Sequence, residues 1–453
     1  MDVSELSSSA LRAAKEAGAD HAEAYVTSTR SISVYIDDSR VKSVEEKHDT
    51  GLAMRVIKGG RVGQSSSSIS SLRQLEGCVQ SAVRAASLLP RDEVFKGFAW
   101  PAKEQVRVRN RDPAIGSLSP SELSEMAMQL IGAATEGKGV KVPNGVLRAA
   151  DLESAVANTN ELLARREASL VHLMATAMTD GVSPGEGVGS FESPSLKSLD
   201  AGALGASIRR KAMDASKAKA FKGRTTLHAI IPPHELAEML QGSVSFALSA
   251  ENVNRRRSPL AGKLDKPVTS RLLTITDDPS DKRGMLSSPY DDEGVPTRKK
   301  VLVKEGVLKA FLYDLYNSHL SSTAPTGNGL RRSAIEAVGN YQLPVGIAPV
   351  CLVVKPGGKG LEAMASQMDE GLVVEKVASA DVHPITGDFG LEVRLGHLVK
   401  GGEVKSAVKH CLLSGNMFKA LGQVVEVGSD STVSRNLILP SVMFEGFELI
   451  GSD

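Results

Sequence analysis

The fold is first indicated by LAMRVIKGGRVGQS, residues 52–65, in which two stretches of strand-forming residues flank a short polar turn. The turn is Lys58-Gly59-Gly60, and adjacent glycines at such a place are typical of a tight β-hairpin. The same pattern occurs at 301–308 and 397–404, where an apolar run is followed by a lysine, a Gly-containing turn and a second apolar segment. The three copies are too dispersed for a solenoid with a fixed repeat of ~20–50 residues. They predict extensive antiparallel sheet in both halves of the chain.

Apolar residues recur at helical spacing before and after the first hairpin, which predicts helices at residues 6–17, 72–89, 119–136 and 199–220. The segment 181–198 is rich in Gly, Ser and Pro and is predicted to be a loop. We therefore predict an α+β fold of two domains, each with extensive, largely antiparallel or mixed sheet and flanking helices. The boundary is placed near residue 223, where the fourth helix ends. It separates an N-terminal α+β domain (1–223) from a strand-rich C-terminal domain (224–453).

Bulk composition narrows the classes of function. The 453 residues carry a formal net charge of +1, so the overall field favours neither nucleic acid nor an anionic membrane. Cys78, Cys351 and Cys411 are far apart and form no CxxC pair, which argues against a disulfide framework and a Cys-rich zinc site. No apolar signal-peptide core and no window of ~20 apolar residues occurs. We expect a cytoplasmic protein with no nucleic-acid or membrane partner.

Residues 232–240, PPHELAEML, resemble the opening of a metallopeptidase helix. Such a helix carries two imidazoles about one turn apart and a glutamate beside the first that activates water. His234 and Glu235 stand in this order, but Glu238 and Met239 occupy the positions where a second His is expected. An apolar stripe along the helix explains Met239 as core packing, and His234 and Glu238 are spaced to pair on its surface. The residues alone favour a structural helix over a zinc site.

Two acidic stretches, Asp277–Asp281 and Asp291–Glu293, lie among Pro and Gly. They lack the alternating ligands of an EF-hand, so we predict solvated loop carboxylates and turn caps rather than a hard-cation site. Thr326-Gly327-Asn328-Gly329 lacks the Lys-Ser/Thr ending of a P-loop and is predicted to be a turn. The serine run at 65–68 has no Gly-x-Ser-x-Gly elbow, which argues against a nucleophilic serine there.

A series of short motifs runs along almost the whole chain in a specific order. They are Ala22–Tyr25, Val41–Glu46, Gly51–Val56, Ser288–Val295, Gly371–Val374, Ile385–Phe389, Leu413–Asn416, Val427–Asp430 and Ser434–Asn436. In their order and spacing the chain resembles the TldD/PmbA family, also called modulators of DNA gyrase, and looks most like its PmbA (TldE) branch.

The resemblance implies a role in a two-subunit zinc peptidase. In that family the TldD-type subunit holds zinc through HExxxH and a distant C-terminal Cys, and the PmbA-type partner shares the fold without those ligands. Here Met239 stands at the second His position and residues 427–453 contain no Cys. A thioether is a poor zinc ligand beside imidazole and thiolate. The resemblance thus implies a chain with no metal, no cofactor and no catalytic residue of its own, and zinc in a TldD-type partner.

Three hypotheses for function remain. In the first, the chain is a non-metallated subunit that pairs with a TldD-type subunit, or with itself as a homodimer, and binds peptide or unfolded-chain substrates for proteolysis. In the second, it is a self-sufficient metallopeptidase in which His234, Glu238 and a third ligand such as His383 or Asp388 bind the metal, with Glu235 as general base. In the third, it regulates DNA gyrase through protein contacts, a function for which the near-neutral charge gives no direct support.

Overall fold

The structure is a computed structural model that describes residues 2–103, 106–108, 110–137, 139–181, 183–332 and 340–451. All four predicted helices are present in the N-terminal half. Its helices are α1 (Val3–Glu16), α2 (Leu72–Leu88), α3 (Pro113–Gly116), α4 (Pro120–Ala134) and α5 (Ala201–Lys217), with a 3-10 turn at Leu196–Ser198. Its strands are β1 (His21–Asp37), β2 (Arg40–Lys58), β3 (Arg61–Ser68), β4 (Val140–Asn158), β5 (Leu163–Thr179) and β6 (Glu186–Ser193).

The six N-terminal strands form one sheet in the order β3-β2-β1-β4-β5-β6, with every pair antiparallel. The predicted hairpin joins β2 to β3, and Lys58 pairs with Arg61 across the turn. Gly59 and Gly60 have φ of 58° and 73°, the left-handed conformation that glycine adopts without steric cost. Local turn chemistry therefore fixes the register of this edge of the sheet.

Helices cover one face of this sheet in two groups. Buried residues of α1 and α2 pack against β1 and β2, and buried residues of α4 and α5 pack against the far halves of β1, β4 and β5. The predicted loop over 181–198 is wrong in its centre, because residues 186–193 form strand β6. A Cβ at Gly187 would lie 2.0 Å from the carbonyl oxygen of Ile208 in α5. The glycines that suggested a loop instead let the α5 backbone approach the strand.

The C-terminal half is strand-rich, as predicted. Its helices are α6 (Pro233–Leu240), α7 (Phe246–Leu248), α8 (Ala250–Asn254), α9 (Leu315–Leu320), α10 (Leu361–Ala365) and α11 (Met417–Gly422), with a π-helical turn at Gln241–Ser245. The strands up to residue 354 are β7 (Lys219–Ala220), β8 (Arg224–Ile231), β9 (Ile275–Asp277), β10 (Lys300–Lys304), β11 (Val307–Leu308), β12 (Gly329–Leu330), β13 (Gly346–Ile347) and β14 (Leu352–Val354). The later strands are β15 (Glu370–Val377), β16 (Asp388–Lys400), β17 (Glu403–Lys409), β18 (Cys411–Asn416), β19 (Val424–Val427), β20 (Thr432–Ser434), β21 (Leu437–Leu439) and β22 (Val442–Ile450).

Two larger sheets organise this half. One runs β11-β10-β9-β14-β21-β20, and the other runs β15-β8-β22-β18-β16-β17-β7. Strand β15 also pairs with β16, so five strands of the second sheet close on themselves. A large apolar core lies between these sheets and takes in the buried face of α6. The other two predicted hairpins are confirmed as β10–β11 and β16–β17.

The α+β fold with extensive sheets and flanking helices is confirmed, and the boundary near residue 223 stays a prediction. Within the described ranges, no helix is long and apolar enough to span a bilayer. Cys78, Cys351 and Cys411 are buried and free.

The predicted solvation of the two acidic stretches is wrong for most of their carboxylates. In the first stretch Asp277 is fully buried and Asp278 is 9% exposed. Asp291 and Asp292 are 2% exposed and Glu293 is fully buried. Asp291 and Asp292 accept hydrogen bonds from backbone N–H groups, and Glu293 accepts one from Arg55 of the N-terminal half. Arg166 lies 3.9 Å from Asp292, and these contacts together replace the hydration that a loop would provide.

Candidate functional site

Helix α6 directly follows the central strand β8, and its first turn points toward the junction of the two halves of the chain. Pro232 and Pro233 begin the helix, where a missing N–H costs nothing. The apolar side of α6 is buried in the C-terminal core. The other side presents His234 and Glu238, which are both partly buried. The chemistry of this helix is therefore decided by what faces those side chains.

Two serine hydroxyls meet the imidazole of His234. Ser434 Oγ lies 3.1 Å and Ser190 Oγ 3.3 Å from its Nδ1 atom, and they come from β20 and β6 respectively. Burial and the nearby ammonium of Lys376 lower the pKa of His234 to about 4. The imidazole is therefore neutral at physiological pH, and it joins an N-terminal strand to the C-terminal half.

Each glutamate of the helix is paired with a cation. Lys376 Nζ on β15 donates to Glu235 Oε1 at 2.9 Å, and the Glu235 side chain is 2% exposed. Burial raises the pKa of Glu235, and the Lys376 ammonium opposes that shift. Glu238 accepts from Arg435 Nη2 at 2.9 Å. Arg435 adopts a left-handed φ of 50° in the turn after β20, and its backbone N–H donates to Glu192.

Met239 lies in the apolar core and is fully buried. Residues of an α-helix advance by about 100° each, so positions 234 and 239 point roughly 140° apart. His234 faces the serines while Met239 packs among Leu236 and Leu240. The sequence suggested a missing ligand beside His234, but the helix turns that position away from the site.

The surroundings of His234 do not suit a divalent cation. The cationic groups of Lys376, Arg435 and Lys211 lower its pKa, and Glu192 is the carboxylate that opposes them. A zinc site needs four donors, with anionic or imidazole ligands converging on one point. Among the residues that the structure describes, no group of three His, Cys, Asp or Glu side chains is placed to hold a metal. The donor set around α6 does not fit zinc.

The two third-ligand candidates have other partners. His383 Nδ1 accepts from the backbone N–H of Thr386 at 3.1 Å, and Asp388 accepts from Asn416 Nδ2 at 2.8 Å. His383 lies in the turn between β15 and β16. Asp388 begins β16, and its partner Asn416 directly precedes α11. The structure does not bring them together with His234 and Glu238 as metal ligands.

A second charged group, which was not predicted from the sequence, lies beside α6. Glu375 on β15 contacts Lys211 Nζ at 3.4 Å and Arg210 Nη2 at 3.5 Å, both on α5, and His397 Nε2 at 3.3 Å. The His397 hydrogen bond and the two cations lower the pKa of Glu375 to about 2. Glu375 therefore remains ionised and ties α5 of the N-terminal half to the C-terminal sheet.

A buried ion cluster also spans the two halves. Arg55 on β2 donates to Glu23 Oε1 on β1 through Nε at 2.9 Å and Nη2 at 2.6 Å. Its Nη1 donates to Glu293 Oε1 at 2.8 Å, across 238 residues of sequence. The guanidinium also lies 5.6 Å from the ring of Phe95 and 5.5 Å from that of Phe98. The motif acids of the C-terminal half thus serve as counter-ions for the N-terminal sheet.

Comparison with known proteins places this arrangement in a family. Residues 224–451 match the PmbA/TldA metallopeptidase C-terminal domain, and residues 22–86 match PmbA/TldA metallopeptidase domain 1. The chain belongs to the PmbA/TldD family. The metalloprotease PmbA of Escherichia coli O157:H7 is 26% identical over 460 residues, covering 95% of this chain and 92% of that protein. An uncharacterized protein of Methanocaldococcus jannaschii is 27% identical over 92% of this chain and 93% of its own length.

Solved structures of the PmbA/TldD family share the fold. TldE from Thermococcus kodakarensis superposes with a TM-score of 0.90 at 24% identity, covering 98% of this chain and 100% of that one. A Thermotoga maritima protein named for modulation of DNA gyrase superposes with a TM-score of 0.87 at 26% identity, covering 98% and 99%. The resemblance in motif order is therefore confirmed at the level of the family.

Acid is expected to destabilise this protein partly through His234. Its folded pKa of about 4 lies below the ordinary 6.5, so between these values the unfolded chain takes up a proton that the folded chain does not. The free energy of unfolding therefore falls as pH drops from 6.5 toward 4, by about 2 kcal/mol from this group. Urea titrations at pH 7.5 and 4.5 should show a smaller loss in the free energy of unfolding at the lower pH in His234→Gln than in the unaltered protein. The matched control His48→Gln, at an exposed site, should keep the full loss, and equal losses in all three proteins would refute the assignment.

Proposed function

We propose that this chain is a PmbA/TldE-type subunit of a two-subunit metallopeptidase and has no zinc site of its own. The observation that carries the proposal is the environment of α6. Its one imidazole, on His234, faces two hydroxyls and three cations, and Met239 is turned into the core. A relative covering nearly the whole chain is named metalloprotease PmbA, which supports a link to proteolysis. A TldD-type partner would supply the zinc, and the complex would work in the cytoplasm.

The substrate class that we propose is an extended peptide or unfolded chain. Of the three predicted hairpins, β2–β3 ends in the longest edge strand, Arg61–Ser68, which pairs with β2 along one side. Its side chains are mostly polar, and alternate ones are exposed. Such an edge offers main-chain N–H and C=O groups to an added strand, a mode of binding that tolerates many peptide sequences.

The decisive experiment is reconstitution with a TldD-type subunit from the same organism. Each subunit is purified alone, analysed for zinc and assayed on an unfolded reporter peptide, and the two are then mixed in equal amounts. We expect zinc in the TldD-type subunit, none in this chain, and peptidase activity at least about tenfold higher in the mixture than in either subunit. The subunits should co-elute on size exclusion.

A variant at the buried Glu235 tests whether this chain has a catalytic site of its own. Glu235→Gln should leave the activity of the mixture within about twofold, because Glu235 contacts Lys376 and belongs to no catalytic site in this proposal. Stoichiometric zinc in this chain alone, with peptidase activity that Glu235→Gln abolishes, would favour the self-sufficient metallopeptidase instead. If this chain forms a homodimer and does not bind the TldD-type subunit, the proposed pairing is refuted.

A further inference from the structure

A small cavity lies where the N-terminal sheet meets the buried acidic loop. Tyr25 on β1 and Arg166 on β5 line one side, and Asp291 and Asp292 line the other. Its volume leaves room for about one water-sized particle. The proposed peptidase role uses none of these groups, although all four are more than nine-tenths buried.

Among the described residues, several buried hydrogen-bond donors at this place have no acceptor. Within the described part of the chain, no hydrogen-bond partner is found for the Tyr25 hydroxyl or for Arg166 Nε and Nη2. Arg331, whose guanidinium stacks over the Tyr25 ring at 5.4 Å, has the same deficit at Nε and Nη2, and Arg332 has it at Nε. A buried donor without an acceptor destabilises the folded state, and more so when it is charged. Tyr25 and Arg166 both line the cavity, and their three unpartnered donors indicate a ligand that accepts hydrogen bonds.

The nearby carboxylates do not fill this need. Asp291 accepts from the backbone N–H groups of Glu293, Val295 and Gly329, so its oxygens are already engaged. Asp292 accepts from the backbone N–H of Arg331 at 2.7 Å, and its other oxygen is 3.9 Å from Arg166 Nη1. One carboxylate at that distance does not satisfy the unpartnered N–H groups of Arg166.

We propose that this cavity binds one small monovalent anion, of the size of chloride, between Tyr25 and Arg166. A water molecule has two acceptor sites and no charge, whereas an anion accepts from all sides and offsets the guanidinium charge. The anion would link Arg166 of strand β5 to Tyr25 of β1, beside the acidic loop.

Thermal unfolding at constant ionic strength tests the proposal in solution. Replacing gluconate, which is too large for the cavity, by chloride should raise the melting temperature by about 3 °C once chloride exceeds its Kd a hundredfold. Tyr25→Phe removes one donor and should at least halve this rise. Tyr35→Phe, at an exposed position of the same strand, should retain it in full. Equal melting temperatures in the two salts, or an equal rise in Tyr25→Phe and Tyr35→Phe, would overturn the proposal.

Crystals of the unaltered protein grown in bromide give a test that does not depend on any variant. The proposal expects an anomalous peak in the cavity within hydrogen-bond reach of Arg166 and Tyr25. Density for a water molecule there, without an anomalous signal at saturating bromide, would show an ordinary buried water and overturn the proposal.

Discussion

Replacing Arg55 by methionine is expected to lower the free energy of unfolding by about 3–5 kcal/mol, which is a large part of the stability of an ordinary domain. The guanidinium is the shared partner of Glu23 and Glu293, whose side chains are 0% and 1% exposed. Its removal takes from two buried carboxylates their shared counter-ion, so the cost of their desolvation is no longer offset. Urea denaturation of the purified variant measures the loss.

Two controls separate this mechanism from a general loss of surface charge. Arg40→Met removes the exposed pair with Asp38 and should change the free energy of unfolding by less than about 1 kcal/mol. The triple variant Arg55→Met, Glu23→Gln, Glu293→Gln removes the charges together and should be more stable than Arg55→Met alone. A loss below about 1 kcal/mol for Arg55→Met would show that the cluster does not hold the halves together.

Restoring the second histidine of the metallopeptidase pattern, as Met239→His, is expected to destabilise the protein by about 2–4 kcal/mol without creating a zinc site. Position 239 is fully buried among apolar side chains and points away from His234, so the new imidazole loses its hydration and gains no metal. Metal analysis after dialysis against zinc should find no more zinc than in the unaltered protein, and urea denaturation should find the loss in stability.

The matched control for this change is Met213→His, at an exposed position on α5. It should leave stability within about 0.5 kcal/mol and zinc content unchanged. One tightly bound zinc per chain in Met239→His would mean that α6 can rotate or rewind to bring positions 234 and 239 together. The neighbouring π-helical turn at 241–245 is the element that such rewinding would involve.

Features that depend on neighbouring residues in sequence were predicted well. The hairpin at Lys58-Gly59-Gly60 follows from glycine's tolerance of positive φ, and the helix beginning at Pro120 follows from its Ser119 cap. Local composition was misleading where a distant element supplied the reason for it. Gly187 is a glycine because α5 packs against it, not because the chain is a loop.

The sequence by itself determined the α+β class, the hairpins, the four N-terminal helices and membership of the PmbA/TldD family, because turn chemistry, periodicity and motif order are properties of short stretches. It also marked His234, Glu235 and Glu238 as the residues to examine. Tertiary structure decided what surrounds them: Lys376 and Arg435 as counter-ions, two serines on the imidazole, and Met239 turned into the core. Charges and hydroxyls act through space over a few ångströms, and their partners come from strands that only folding brings together.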